Sequence, residues 1–131
     1  MANRTVLIVD DETSPLLSLT EGLKDYADLF DVVTAENGRQ AVAVLEASPV
    51  HLVVTDLRMP EMDGFELLAH LSRHFPDMPV IVMTVLNAPE IESLLISEHP
   101  FTLIEKPIDY DELVAAIKTG LKNRAIPVLL E

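Results

Sequence analysis

Five side chains in this sequence bring together acid, hydroxyl and amine chemistry: Asp10, Asp11, Asp56, Thr84 and Lys106. Each stands where a row of strand-forming residues stops. Residues 5–9 lead to Asp10-Asp11-Glu12, 51–55 to Asp56, 80–83 to Thr84, and 101–105 to Lys106-Pro107. Short unbroken apolar rows read as strands buried on both faces, as in a parallel sheet covered by helices. In such a sheet every carboxyl end lies on one edge, where open α/β folds build their ligand sites. The five groups then converge on one crevice. Carboxylates gathered there repel, a pair at ~4 Å costing about 4 kcal/mol at an effective dielectric near 20. Lys106 offsets one charge, and a divalent cation would offset two more. Hard oxygen donors with no His or Cys nearby favour Mg2+. A carboxylate can attack phosphorus and form an acyl phosphate, while a metal, an ammonium and a hydroxyl hold the equatorial oxygens of a phosphoryl group. Each residue also has a plainer reading. Asp56 could start a turn, Asp10 and Asp11 could favour a helix start, Thr84 could be a strand former, and Lys106 could be a solvated surface cation. The last leaves Pro107 unexplained.

The elements that must position these groups follow from periodicity. Ser14 reads as a helix N-cap with Pro15 at the first helical position, and Leu16, Leu19, Leu23 and Tyr26 carry that helix to about Asp28. A strand spans 31–35. Asn37-Gly38 opens a second helix with Ala41, Val42 and Leu45 inward, ended by Ser48-Pro49. Asp63 and Glu66 have capping-box spacing for a third helix that buries Phe65, Leu68, Leu71 and Phe75. Asn87-Ala88-Pro89 starts a fourth, with Ile91, Leu94 and Leu95, stopped by Pro100. Asp109 and Glu112 open the last, with Leu113, Ala116, Ile117 and Leu121 inward. Strands alternating with helices predict an α/β fold: a doubly wound five-stranded parallel sheet with helices on both faces and right-handed crossovers. Residues 1–124 are expected to form one domain, and the apolar tail 125–131 either to dock on it or to be the stump of a linker to a further domain in a longer parent chain, the second reading being preferred.

Composition narrows the function. At 49% apolar and 24% charged, the chain is ordinary for a globular protein. No apolar run approaches a membrane span and no signal peptide pattern opens the chain, so a cytoplasmic location is expected. Cysteine is absent, which excludes disulfides and thiolate metal sites. Nine basic against twenty-two acidic residues give a net charge of −13, which repels phosphate backbones and anionic membranes. Direct nucleic-acid binding is therefore not expected. No glycine-rich phosphate-cradling loop is present. His70 and His74 have a spacing that can bind zinc, but without a third ligand motif they read as polar-face residues. His51 and His99 carry no functional assignment.

Taken together, Val9-Asp10-Asp11-Glu12, the block from Asp56 to Gly64, Met83-Thr84 and Glu105-Lys106-Pro107 are strongly specific. Over nearly all of residues 4–124 the sequence resembles the receiver domain of two-component response regulators. That resemblance implies a flavodoxin-like sheet of strand order 2-1-3-4-5. It implies Asp56 as phosphoacceptor, taking a phosphoryl group from a sensor histidine kinase or a histidine phosphotransfer protein. It also implies Mg2+ bound by Asp11, Asp56 and the backbone carbonyl of Arg58, with Asp10 holding a metal-bound water. Thr84 and Lys106 would bind phosphoryl oxygens, and the Lys106-Pro107 bond would be cis. Phosphorylation would switch the surface made by the fourth helix, fifth strand and last helix, through which a homodimer could form. Three positions depart from the family: Leu103 replaces an aromatic, Val85 replaces Ala or Gly, and Glu98-His99-Pro100 replaces Gly-Ala. Two alternatives stand beside this reading. One is a receiver-like docking module that is not phosphorylated. The other is a Mg-dependent phosphatase of the haloacid dehalogenase type, a family with a second Asp two residues after its nucleophile; here Glu12 occupies that distance from Asp10.

Overall fold

The computed structural model describes residues 4–59, 61–85, 94, 96 and 99–125. Its elements are β1 (Arg4–Val9), α1 (Thr13–Gly22), a 3-10 turn (Lys24–Tyr26), β2 (Phe30–Ala35), α2 (Gly38–Ala47), β3 (Leu52–Asp56), α3 (Gly64–His74), β4 (Val80–Thr84), β5 (Thr102–Glu105) and α4 (Tyr110–Ala125). The five strands form one sheet in the order β2-β1-β3-β4-β5, every pairing parallel. The expected start of a helix at Asn87-Ala88-Pro89, with Ile91 and Leu95, lies outside the described residues, as does the tail beyond Ala125.

Side-chain alternation along the strands divides the core into two layers. Leu7, Val9, Val53, Val80 and Val82 face α2 and α3, packing with Ala41, Leu45, Leu67, Leu68 and Leu71. Val6, Ile8, Val54, Ile81, Met83 and Ile104 face α1 and α4, packing with Leu16, Leu19, Leu113, Ile117 and Leu121. Residues of β1, β3 and β4 are buried on both faces, so their sequences read as continuous apolar rows. Each fully buried Val, Leu or Ile contributes about 1.5–3 kcal/mol relative to exposure, and this fixes the height of every strand end.

Two helix termini differ from expectation. α1 begins at Thr13, not after a Ser14 cap; Glu12 takes the N-cap position without a side-chain cap bond. The reason is Asp10, whose Oδ1 accepts the Glu12 N–H at 3.0 Å and turns the chain into the helix before Ser14 is reached. Pro15 still lies in the first turn, where its missing N–H costs nothing. α1 also stops at Gly22 instead of near Asp28. A Cβ at Gly22 would stand 2.6 Å from Cε2 of Tyr110, so the Tyr110 ring packs where a side chain would project. Elsewhere the caps match: Asn37 accepts from the Gln40 N–H at 2.8 Å, and Asp63 and Glu66 form a complete capping box. Asp109 caps α4 by accepting from the N–H groups of Asp111 and Glu112.

Candidate functional site

Strand register sets the site. Val9 pairs with Thr55, Asp56 with Met83, and Thr84 with Glu105, so β1, β3, β4 and β5 end nearly level. Asp10 follows β1 directly, its N–H donating to Ala35 O at 3.1 Å, and Lys106 follows β5, its N–H donating to Thr84 O at 2.8 Å. The Lys106-Pro107 peptide is cis.

At this edge Asp10, Asp11 and Asp56 each offer a carboxylate oxygen, all within 4.8 Å of one another. Asp10 and Asp56 are buried; Asp11 is exposed. Lys106 Nζ donates to Asp56 Oδ2 at 2.6 Å, and the Leu57 N–H donates to Asp56 Oδ1 at 2.7 Å. With Glu12 on its Oδ1, Asp10 keeps a buried Oδ2 that no donor among the described residues reaches. A buried oxygen in that state is costly. Together with the all-oxygen donor set, it fits a hard divalent cation.

The electrostatics agree. Burial pushes the Asp10 carboxyl above its usual range, against the lowering effects of the Glu12 N–H and the Lys106 charge; the Asp56 and Asp11 charges add to the rise. For Lys106, burial pulls the ammonium down, but the hydrogen bond and charge of Asp56, with Asp10 and Glu12 behind it, outweigh that and hold it above its ordinary value. The pocket therefore has more negative charge than its one ammonium offsets.

Thr84 is buried at the end of β4, and its hydroxyl donates to Val85 O over a long 3.3 Å. Arg58 is exposed, in the loop between Asp56 and α3. A Cβ at Gly64 would lie 2.3 Å from Asp56 O, so close packing of backbone on backbone demands glycine there. In the sequence Gly64 stands out only as part of the block from Asp56 to Gly64. Beside Lys106, a cavity of about 320 Å³ is lined by Asp10, Glu12, Leu19, Met83 and Tyr110 among others. A larger crevice of about 1050 Å³ lies at the opposite, amino edge of the sheet, between Met78, Phe101 and Gly120, away from these groups. His70 and His74 lie on α3 with ring centroids 4.4 Å apart. Among the described residues, the acidic trio is the one group of three candidate metal ligands close enough to share an ion.

Residues 6–118 match the response regulator receiver domain. The chain belongs to that family. The transcriptional regulatory protein GlrR of Escherichia coli (strain K12) is 38% identical over 120 residues, covering 92% of this chain and 27% of that protein. The DNA-binding transcriptional regulator NtrC of Salmonella typhimurium (strain LT2) is 30% identical, covering 94% and 26%. This receiver domain thus spans about a quarter of the length of the curated relatives it matches. Among solved structures, the receiver domain of a signal transduction histidine kinase from Syntrophus aciditrophicus superposes with a TM-score of 0.85 at 27% identity, covering 98% of this chain and 97% of that one. A CheY-like receiver domain from Methanospirillum hungatei JF-1 gives 0.83 at 27% identity, covering 95% and 98%. The flavodoxin-like sheet order is as the resemblance implied.

Receiver domains accept a phosphoryl group from histidine kinases, pairing with these or with phosphotransfer proteins, and generally bind Mg2+ at an acidic pocket. Family membership sets the dehalogenase-type alternative aside. No helix of the described residues is long and apolar enough to cross a membrane. Of the departures, Val85 is 63% exposed beside Thr84 and Leu103 is 37% exposed on β5.

Proposed function

We propose that Asp56 is the phosphoacceptor of this receiver domain, and that a phosphohistidine on a sensor histidine kinase or histidine phosphotransfer protein is the donor. An Asp56 carboxylate oxygen forms the new O–P bond as the N–P bond breaks, and the imidazole leaves with the electron pair. The observation that carries this is Lys106 Nζ at 2.6 Å from Asp56 Oδ2, inside a cluster of three carboxylates. Asp11, Asp56 and the Arg58 carbonyl would hold Mg2+, with Asp10 acting through a water. Mg2+ supplies positive charge against the phosphoryl oxygens. Lys106 and the Thr84 hydroxyl bind the same oxygens as charge develops.

The product carries roughly −1.5 to −2 added charges. Lys106 and Thr84 follow them, and the surface of the predicted fourth helix, β5 and α4 changes its affinity for a partner or a second copy of the chain. Turnover is limited to self-phosphorylation from small donors and self-dephosphorylation. The net charge of −13 supports an output through protein contacts and not direct nucleic-acid binding by this segment. A cytoplasmic setting follows from the kinase partner.

Treatment with acetyl phosphate and Mg2+, followed by intact-mass spectrometry, tests the assignment. Wild type is expected to gain one phosphoryl group and Asp56→Asn none. A wild-type chain that gains none would favour the docking-module reading.

A further inference from the structure

The loop 57–63, of which Pro60 is not described, carries Arg58 and is held at two points. At its base, the Gly64 N–H donates to Leu57 O at 2.9 Å. At its rim, Met62 O accepts from the N–H of Gly38, the first residue of α2, at 2.8 Å. A Cβ at Gly38 would stand 2.3 Å from Met62 O and 2.8 Å from Met62 Cγ. Glu61, beside it, has φ 65, in the left-handed region that a non-glycine residue seldom adopts. Arg39 Nε lies 3.2 Å from Glu61 Oε1 and joins the same two segments at the surface. Glycine is a poor helix former, and Asn37 already caps α2. The contact with Met62, not the needs of the helix, explains Gly38.

We propose that the amino end of α2 is a platform for the metal-binding loop. Gly38 sets how closely the loop approaches, and so where the Arg58 carbonyl stands relative to Asp56 and Asp11. Gly38 and Arg39 are positioning residues; the metal ligands are carried by other segments. The ion pair is exposed at both ends, 77% and 55%, and such pairs contribute little, so Gly38 carries most of the effect. This inference rests on the reading of the acidic site as a Mg2+ site.

Calorimetric Mg2+ titration of the full chain, with thermal unfolding alongside, tests it. Gly38→Ala is expected to weaken Mg2+ binding about tenfold, the scale of losing a group that orients a ligand, and to shift the Leu57, Arg58 and Gly64 amide resonances of the metal-free protein. Asn37→Ala removes the cap of the same helix without adding an atom against Met62. It is expected to lower the melting temperature while leaving Mg2+ affinity within about twofold. Gly38→Ala binding like wild type, or Asn37→Ala weakening Mg2+ as much as Gly38→Ala, overturns the platform. If Gly38→Ala does not fold, Met62→Ala, which removes the side chain seated against Gly38 and leaves the metal ligands in place, is expected to weaken Mg2+ binding several-fold, and unchanged affinity overturns it. A wild-type chain that binds no Mg2+ overturns the acidic-site reading and the platform together, whereas normal wild-type binding with an unaffected Gly38→Ala overturns the platform alone.

Discussion

Asp10 is held in the site at a cost. Its carboxyl is raised above 3.8 in the folded state, first by burial, so folding disfavours the carboxylate form. The group therefore subtracts stability above its folded pKa; the penalty fades as pH falls through that value and is gone below the unfolded one. Asp10→Asn is expected to stabilise the metal-free protein by about 1 kcal/mol at pH 7, raising the melting temperature by about 3–5 °C. The gain should vanish in melts recorded at acidic pH, below the ordinary Asp range. Val85 acts differently. Its β-branched side chain, on the residue after Thr84, is exposed, and we propose that it narrows the approach to the phosphoryl oxygens and to attacking water. Val85→Ala is expected to raise the rate of phosphorylation by acetyl phosphate or of dephosphorylation several-fold. If both rates stay unchanged, this explanation fails.

Helix starts do much of the positioning, and they show where sequence was and was not legible. The Asp63/Glu66 capping box was readable from spacing because both bonds are local, Glu66 N–H to Asp63 Oδ1 at 2.9 Å and Asp63 N–H to Glu66 Oε1 at 3.1 Å. Removing it by Asp63→Ala is expected to cost about 1–2 kcal/mol, measurable by urea unfolding with an unchanged denaturant slope. The strands were legible for the same kind of reason: burial on both faces leaves an unbroken apolar row, as in Val53-Val54 and Ile81-Val82. The start of α1 was not. Ser14-Pro15 carries a genuine helix-start signal, but the Asp10 side chain intercepts the Glu12 N–H first. The end of α1 at Gly22 was not legible either: the Tyr110 ring that stands against Gly22 belongs to the last helix, which periodicity within α1 cannot reveal. Gly38 and Gly64 were likewise opaque, because each owes its identity to a backbone that approaches from another segment.

Across the molecule, one sheet edge collects the chemistry while the two core layers hold the strand ends level. In the proposed switch, a change of charge at Asp56 would reach β5 and α4 through Lys106, whose side chain donates to Asp56 and whose N–H is tied to Thr84 O. Beryllofluoride with Mg2+, a mimic of the phosphoryl group, is expected to shift amide resonances in β5 and the first turns of α4, read by heteronuclear NMR. No change on that face would contradict the switch, and Leu103, in place of an aromatic, makes the face a stringent case. The assignment of Asp56 itself has a direct chemical test. Borohydride reduces an aspartyl phosphate to homoserine, so phosphorylation by a phosphohistidine donor, reduction and peptide mapping locate the acceptor. Homoserine is expected at position 56, and its appearance at position 10 or 11, or at no position in a phosphorylated chain, would contradict the assignment.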